Sequence, residues 1–429
     1  MSEVMSQVLD YTKMKKRAAS SVAERVILAS SNGNSFNCSQ VAEIQIPGNQ
    51  MSTFMDWQSS YLKLTVTNND GDDLKVPGTG GIYNLIKKIE VLSSGQTLVS
   101  IDNYNKLVCA LSDMQHSPEY RNQVGSLLAG SVFDETTGAN IAGTIIQAGD
   151  SETFCIPLAA LPMTSASKYW PLFCRDSLRV RISFDSAKNA FISGAAADPA
   201  DTEVVINPIE LVALNVKLNE GAMMALNQAV GGVYTLVSSD YRNATESISA
   251  TQTSAIANVA FSFTSLDRVI FGYFPDNGVR AADSNGGRDF HNMQQYSFKV
   301  NGKNYPQRVI NCSESNVSEP VAELLNSSNA LVDLHHVGCL DRNNLYNKTG
   351  GDNTQNDNTS HALFGINLEQ VREHGVESLY SGISTLGSVT QLDVTFSAAA
   401  QAADLQAWAQ YTATYQLDTN ANNTWVMAQ

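Results

Sequence analysis

Charged residues are scarce in this sequence, and long apolar runs are absent. Asp, Glu, Lys and Arg make up only 16% of its 429 residues, and surfaces that lie against neighbouring subunits carry fewer charges than surfaces that face water. No segment has the ~18 apolar residues of a membrane-spanning helix. The first 20 residues carry charges and lack the apolar stretch of a secretory signal. We therefore expect a soluble protein that is made in the cytosol of the producing cell.

Basic residues are the scarcer kind of charge. The chain has 27 Lys and Arg against 42 Asp and Glu, a net charge of −15 at pH 7. Such a chain repels nucleic acid unless its basic groups are concentrated locally. One concentration exists, at Lys13, Lys15, Lys16 and Arg17. The pattern argues against wrapping of a genome and predicts no sequence-specific binding of nucleic acid.

Motifs for catalysis, metal binding and cofactor binding are also missing. There is no G-x-S-x-G elbow, no phosphate-binding glycine loop, no zinc spacing of Cys and His, and no EF-hand loop. Residues 70–73 carry three carboxylates, and we interpret them as a solvated turn. We therefore predict no catalytic residue, no cofactor-binding residue and no metal ligand.

The cysteines are widely spaced and form no Cys-x-x-Cys pair. In a reducing compartment this spacing predicts free, mostly buried thiols. The six positions are Cys38, Cys109, Cys155, Cys174, Cys312 and Cys339.

Apolar residues recur at every second position through much of the chain. Such alternation predicts β-strands with one buried face. The alternating segments are residues 61–67, 178–184, 212–218, 259–263, 392–397 and 407–417. Turns at Ser94-Gly95 and Asn301-Gly302 predict two hairpins between further strands.

The strands come in the same order in both halves of the chain. From Gly95 in the first hairpin to residue 181 is 86 residues, and from Gly302 in the second hairpin to residue 394 is 92 residues. The side chains of the two halves hardly match, so the repeat is structural. Two copies of one all-β plan are the economical interpretation.

Short helices are predicted to interrupt the strands. Asp102 is the candidate N-cap of a helix over residues 103–114, and Pro118 opens another helix that ends near residue 128. A further short helix over residues 220–228 marks the seam between the halves. The predicted domains are an N-terminal arm at 1–37, a first sandwich at 38–230 and a second at 231–429.

The arm has two interpretations. Val4, Val8 and Tyr11 fall at helical spacing ahead of the basic cluster, which predicts a helix over residues 2–21. This segment is either a solvated terminus or an amphipathic helix that lies against anionic lipid, a minor protein or nucleic acid.

The order of elements resembles that of the double jelly-roll major capsid proteins of tailless icosahedral viruses. That group includes polinton-like viruses, virophages and membrane-containing phages. Residues 54–68 end in Val-Thr-Asn and precede a hairpin at 84–98 and a helix from Tyr104, which is similar to the family's first jelly roll. The segments similar to its second jelly roll are residues 266–274, 296–306 and 405–418.

The resemblance implies two consecutive eight-stranded jelly-roll sandwiches and a structural role in the virion after synthesis in the host cytoplasm. It implies a homotrimer that forms a pseudo-hexagonal block and contacts neighbouring trimers, penton proteins and minor capsid proteins. Residues 276–292 and 345–360 would form outward or contact loops. The arm, with Lys13, Lys15, Lys16 and Arg17, would lie on the inner face against a membrane or a minor protein.

Two other functions fit a pair of β-sandwiches. A carbohydrate-binding or adhesion protein needs an exposed aromatic platform or a calcium site, and a glycoside hydrolase or lyase needs two carboxylates in a cleft. The four tryptophans are scattered, and we interpret them as core residues. They are Trp57, Trp170, Trp408 and Trp425.

Overall fold

The computed structural model describes residues 21–133, 142–193, 198–275, 287–290, 292–313, 315–331, 338–340, 361–370, 382–397, 402–421 and 423–428. Several predicted features lie outside these residues. They are the helix ahead of Ser21 with its basic cluster, most of the loop at 276–292, and the whole loop at 345–360.

The first half of the chain contains thirteen strands in the described residues. They are β1 (Ser21–Ala29), β2 (Phe36–Asn37), β3 (Val41–Ile46), β4 (Thr53–Asn68), β5 (Leu74–Pro77), β6 (Ile86–Ser93), β7 (Gln96–Asp102), β8 (Ala142–Ile146), β9 (Ser151–Pro157), β10 (Trp170–Pro171), β11 (Leu178–Phe184), β12 (Ile192–Ser193) and β13 (Val204–Leu218).

The second half contributes nine described strands. They are β14 (Val233–Ile248), β15 (Ser254–Asn258), β16 (Leu266–Pro275), β17 (Met293–Val300), β18 (Lys303–Asn311), β19 (Phe364–Asn367), β20 (Thr390–Phe396), β21 (Ala403–Asp418) and β22 (Trp425–Ala428).

Short helices connect the strands. They are α1 (Tyr104–Gln115), α2 (Pro118–Tyr120), α3 (Ser126–Ala129), α4 (Pro162–Ser165), α5 (Ala187–Ala190), α6 (Glu220–Val230) and α7 (Ser318–Ser327), with a 3-10 turn at Gly81–Leu85 and a π-turn at Arg121–Gly125.

Both halves have the same strand order. The first forms sheets β1-β13-β4-β9 and β3-β11-β6-β7, and the second forms β14-β21-β16-β19 and β15-β20-β17-β18. If the eight main strands of each half are counted along the chain, both sandwiches have sheets in the order 1-8-3-6 and 2-7-4-5. This is the connectivity of an eight-stranded jelly roll, so the predicted double jelly roll is confirmed.

Strand register places at one end of the molecule the strand ends from which the long connections leave. Asn68 at the end of β4 lies opposite Val204, and Ile248 at the end of β14 lies opposite Ala403. We call this the loop end, because the long connections after β4, β7, β16 and β18 leave from it. At the other end, which we call the arm end, α6 joins the end of β13 to the start of β14, and the chain enters β1 at Ser21.

Three local predictions are wrong in detail. Residues 259–263 are not a strand, because the amides of Phe261 and Phe263 donate to the hydroxyl oxygens of Thr390 and Thr385 rather than to a neighbouring strand. Strand β1 lies within the range 1–37 that was assigned to the arm, yet it pairs with β13 along its whole length.

The third error is at the start of α1. Asn103, and not Asp102, precedes the helix, with a φ of 50°. Asn tolerates this left-handed conformation better than most residues. The helix therefore begins at Tyr104, one residue later than the capping argument predicted and at the residue that the resemblance implied.

Candidate assembly surfaces

The two sandwiches lie side by side and share a continuous interface. Strand β14 is the edge strand of the second sandwich, and it lies against β7 and α4 of the first. The Ser165 hydroxyl in α4 donates to the backbone carbonyl of Ser239 in β14, with 3.3 Å between the oxygens. An edge that would otherwise offer unpaired backbone groups is therefore covered.

At the arm end this interface is aromatic. Trp170 of the first sandwich packs on Trp425 of β22, with ring centroids 4.1 Å apart, and on Tyr415 of β21 at 5.6 Å. Phe173 meets Tyr234 edge-on at 4.9 Å. Buried aromatic side chains contribute large apolar areas, so this cluster joins the sandwiches chiefly by hydrophobic burial.

Nearer the loop end, a buried amide accepts hydrogen bonds from both sandwiches. The Gln406 Oε1 accepts from Asn103 Nδ2 at 3.0 Å, from Asn243 Nδ2 at 3.2 Å and from Thr245 Oγ1 at 2.7 Å. Because Gln406 is buried, these donors offset the cost of taking its carbonyl oxygen out of water.

At the loop end the interface contains a buried charge cluster centred on Asp113 of α1. Arg121 of the first sandwich and Arg288 of the second donate to separate oxygens of its carboxylate. His361 Nδ1 lies 3.0 Å from Asp113 Oδ2. All four side chains have no exposed surface, and Cys339 adds a backbone donor to the carbonyl of Asp113 at 2.9 Å.

Electrostatics keep Asp113 ionised in this setting. Burial alone raises the pKa of its carboxyl, but the surrounding His and Arg side chains outweigh burial and hold the pKa well below its usual value. One carboxylate is therefore the shared anionic partner of guanidinium groups from both sandwiches. Removal of that charge would leave both buried cations without it.

Each side of the internal interface has an equivalent surface in the other sandwich. Within one copy, the described residues leave these equivalent surfaces exposed. Strand β1 occupies in the first sandwich the position that β14 occupies in the second, and its outer edge carries no paired strand in the described residues. On β1 the side chains of Val22 and Ile27 are 69% and 62% exposed.

The surface equivalent to β7 and α4 is also open. Strand β18 corresponds to β7 by its place in the sheet, and most of its side chains are exposed or half-buried. The connection before β20 corresponds to the one that holds α4, and there Leu386 and Val389 are 50% and 62% exposed. Each copy thus presents two exposed surfaces that correspond by position to the two halves of its own internal interface.

The structure also tests the other sequence-based candidates. All four tryptophans are buried, as predicted. The six cysteines are free, and all but half-buried Cys155 are buried. Residues 70–73 form the predicted turn, in which the Asp70 amide donates to Asn68 Oδ1 at 3.0 Å.

In the part of the chain that the structure describes, no three His, Cys, Asp or Glu side chains are grouped closely enough to hold a metal ion. None of the described helices has the length and hydropathy that crossing a membrane requires.

Comparisons with known proteins give the fold and no close relative. No protein-family model matches the sequence, and no curated protein matches it. A solved structure of the PBCV-1 virus capsid matches with a TM-score of 0.62 and 10% identity, over 98% of this chain and 99% of that chain. The Sputnik virophage structure matches with a TM-score of 0.60 and 11% identity, over 100% and 93%.

A third structure agrees. The Faustovirus major capsid protein matches with a TM-score of 0.56 and 10% identity, over 95% of this chain and 92% of that chain. Each match spans nearly the whole of both chains, so the likeness covers both sandwiches and their connection. At this identity it shows a shared double jelly-roll fold.

Proposed function

We propose that this chain is the major capsid protein of a tailless icosahedral virus and that three copies form one pseudo-hexagonal capsomer. The supporting observation is the full-length likeness to three solved structures, namely the PBCV-1 virus capsid, the Sputnik virophage and the Faustovirus major capsid protein. The role is structural, and we assign it no catalytic step.

The internal interface supports head-to-tail assembly. In one copy, the β7 and α4 side of the first sandwich covers the edge strand of the second. Repetition of that contact between copies would place β18 and the connection before β20 of one chain against β1 of the next. Contacts between unlike surfaces form a ring when the rotation closes, and three chains supply the six sandwiches of a pseudo-hexagonal block.

The polarity of the molecule supports its orientation in a shell. The loop end would face outward, and the arm end would face the interior with Lys13, Lys15, Lys16 and Arg17. Contacts with neighbouring trimers, penton proteins and minor capsid proteins complete the proposal, with a membrane or a minor protein as the partner of the arm. A sugar-binding role is not proposed, since every tryptophan is buried and none forms an exposed platform.

The native mass of the purified protein, with negative-stain images of the same sample, tests this proposal. We expect three copies of the 46.3 kDa chain, seen as hexagonal blocks or closed shells. The variant Ile27→Glu should give monomers, because it places a charge on the β1 surface.

A matched control is Leu127→Glu, which puts the same charge on a side chain that is 82% exposed at the loop end. It should leave the trimer mass unchanged. A wild-type protein that stays a monodisperse monomer under all conditions would overturn the capsid proposal.

A further inference from the structure

A cavity of about 560 Å³ opens at the arm end, where the two sandwiches and α6 meet. Its volume is that of a ligand pocket, about 300–1,000 Å³. The walls are mainly apolar and come from both sandwiches. They include Phe54, Val216, Leu218, Leu226, Val230 and Leu236.

The rim of the cavity is where the described chain begins. Ser21 lines the cavity, and twenty residues precede it in the sequence. The ten residue-to-residue steps from Ser21 back to Tyr11 span about 15 Å as a helix and up to about 35 Å when extended. Every part of the cavity is therefore within reach of the arm that enters β1.

The sequence of that arm matches the cavity in character. Val4, Val8 and Tyr11 share one face at helical spacing, and this apolar stripe suits apolar walls. Lys168 lines the cavity and is exposed. Glu3 directly precedes Val4 and Asp10 directly precedes Tyr11 in the sequence, so a carboxylate is available for this cation.

We propose that the cavity is the docking site for the apolar stripe of the same chain's N-terminal arm. Docking buries Val4, Val8 and Tyr11 against α6 and the start of β14, across the seam between the sandwiches. The basic cluster at 13–17 then lies between the docked stripe and Ser21, where it is held at the arm end. The inference does not depend on the capsid proposal, because it concerns contacts within one chain.

Hydrogen exchange of the full chain provides the test. The variant Val8→Asp should speed exchange of the amides at 4–11 and 226–236 by about tenfold or more, because the protected, docked state is lost. Its matched control is Ser6→Asp, which adds the same charge on the side of the predicted helix that lies opposite the stripe. This variant should leave exchange as in the wild type.

The cavity side is tested in the same way. Leu226→Glu should speed exchange at 4–11, whereas Met224→Glu on the same helix should not, since Met224 is 67% exposed and does not line the cavity. If Leu226→Glu does not fold, the arm variants still decide the question. Unchanged exchange in Val8→Asp would overturn the proposal and indicate that the cavity is empty or holds another apolar ligand.

A mixed sample of isotopically light and heavy chains separates docking within a chain from docking between copies. The double variant Val8→Cys, Val230→Cys, joined by a short crosslinker, should give products of a single isotope label only. Products that combine both labels would show that the arm occupies the cavity of a neighbouring copy, which overturns the assignment to the same chain.

Discussion

Asp113 is the shared anionic partner of two buried cations, because its carboxylate pairs with both Arg121 and Arg288. Asp113→Asn keeps the shape of the side chain and removes the charge. We expect it to lower the free energy of unfolding by about 3–5 kcal/mol, the usual cost of breaking a buried ion pair on one side. Urea unfolding of the full chain measures the change.

Glu210→Gln is the control for this prediction. Glu210 pairs with Lys63 at 3.1 Å, and both side chains are partly exposed, so the loss should be at most about 1 kcal/mol. Equal effects of the two substitutions would contradict the view that the Asp113 cluster is shielded from water.

The buried carboxyl of Asp240 should make the stability of the folded chain depend on pH. Burial raises the pKa of the Asp240 carboxyl from 3.8 to about 6, although Tyr411 and Tyr415 donate to it. The folded chain then holds this proton more tightly than the unfolded chain. Asp240 therefore makes stability fall as pH rises from about 4 to about 6.

The difference in unfolding free energy between the wild type and Asp240→Asn, followed from pH 4 to pH 8, isolates this effect. The buried carboxyl of Asp267, whose pKa is also raised to about 6, is present in both proteins and cancels. We expect the wild type to lose about 3 kcal/mol relative to the variant across the window, from about two pKa units. A difference that does not vary with pH would contradict the raised pKa.

Strand β22 connects the two sandwiches. It pairs with β21 of the second sandwich and packs Trp425 on Trp170 of the first. Trp425→Ala should cost about 3–5 kcal/mol, as loss of a large buried aromatic side chain does. Calorimetry should show the single unfolding transition separate into two as the sandwiches uncouple. Val426→Ala, at a neighbouring side chain that is 45% exposed, should leave the transition nearly unchanged.

An element could be predicted from the sequence when the pattern that marks it lies within the element itself. Strands such as β11 alternate between buried and exposed side chains, and period 2 can be read from the sequence alone. Strand β1 could not be identified in this way, since most of its side chains are exposed on both faces and its strand structure depends on pairing with β13.

The interface between the sandwiches was not predictable for the same reason. Asp113 and His361 are 248 positions apart, and no spacing rule connects them. A buried carboxylate in α1 gives no local sign that its partners come from the other sandwich. The tryptophans could be predicted as core residues from their scatter, but the contact of Trp170 with Trp425 required the fold.

At the scale of the whole molecule, the loop end and the arm end differ. The register of both sandwiches puts the strand ends that precede the long connections at one end and the entry of the chain into β1 at the other. The net charge of −15 makes the basic cluster at 13–17 exceptional, because an acidic protein is otherwise repelled by an anionic surface. The cluster is thus the sequence feature best suited to hold an anionic partner at the arm end.

Neutralisation of the basic cluster at 13–17 tests whether trimer formation and binding to an anionic partner depend on different parts of the chain. A variant with Lys13, Lys15, Lys16 and Arg17 all changed to Ala should keep the trimer mass, since the proposed contact between copies uses β1, β18 and the connection before β20. It should lose binding to vesicles that contain anionic lipid, by about 1 kcal/mol for each basic side chain. Cosedimentation at low and high salt measures this, because screening weakens vesicle binding by the wild type and leaves little binding to weaken in the variant.

Equal binding of both proteins to anionic vesicles would exclude the cluster as the attachment site. Loss of the trimer would place the arm within the contact between copies.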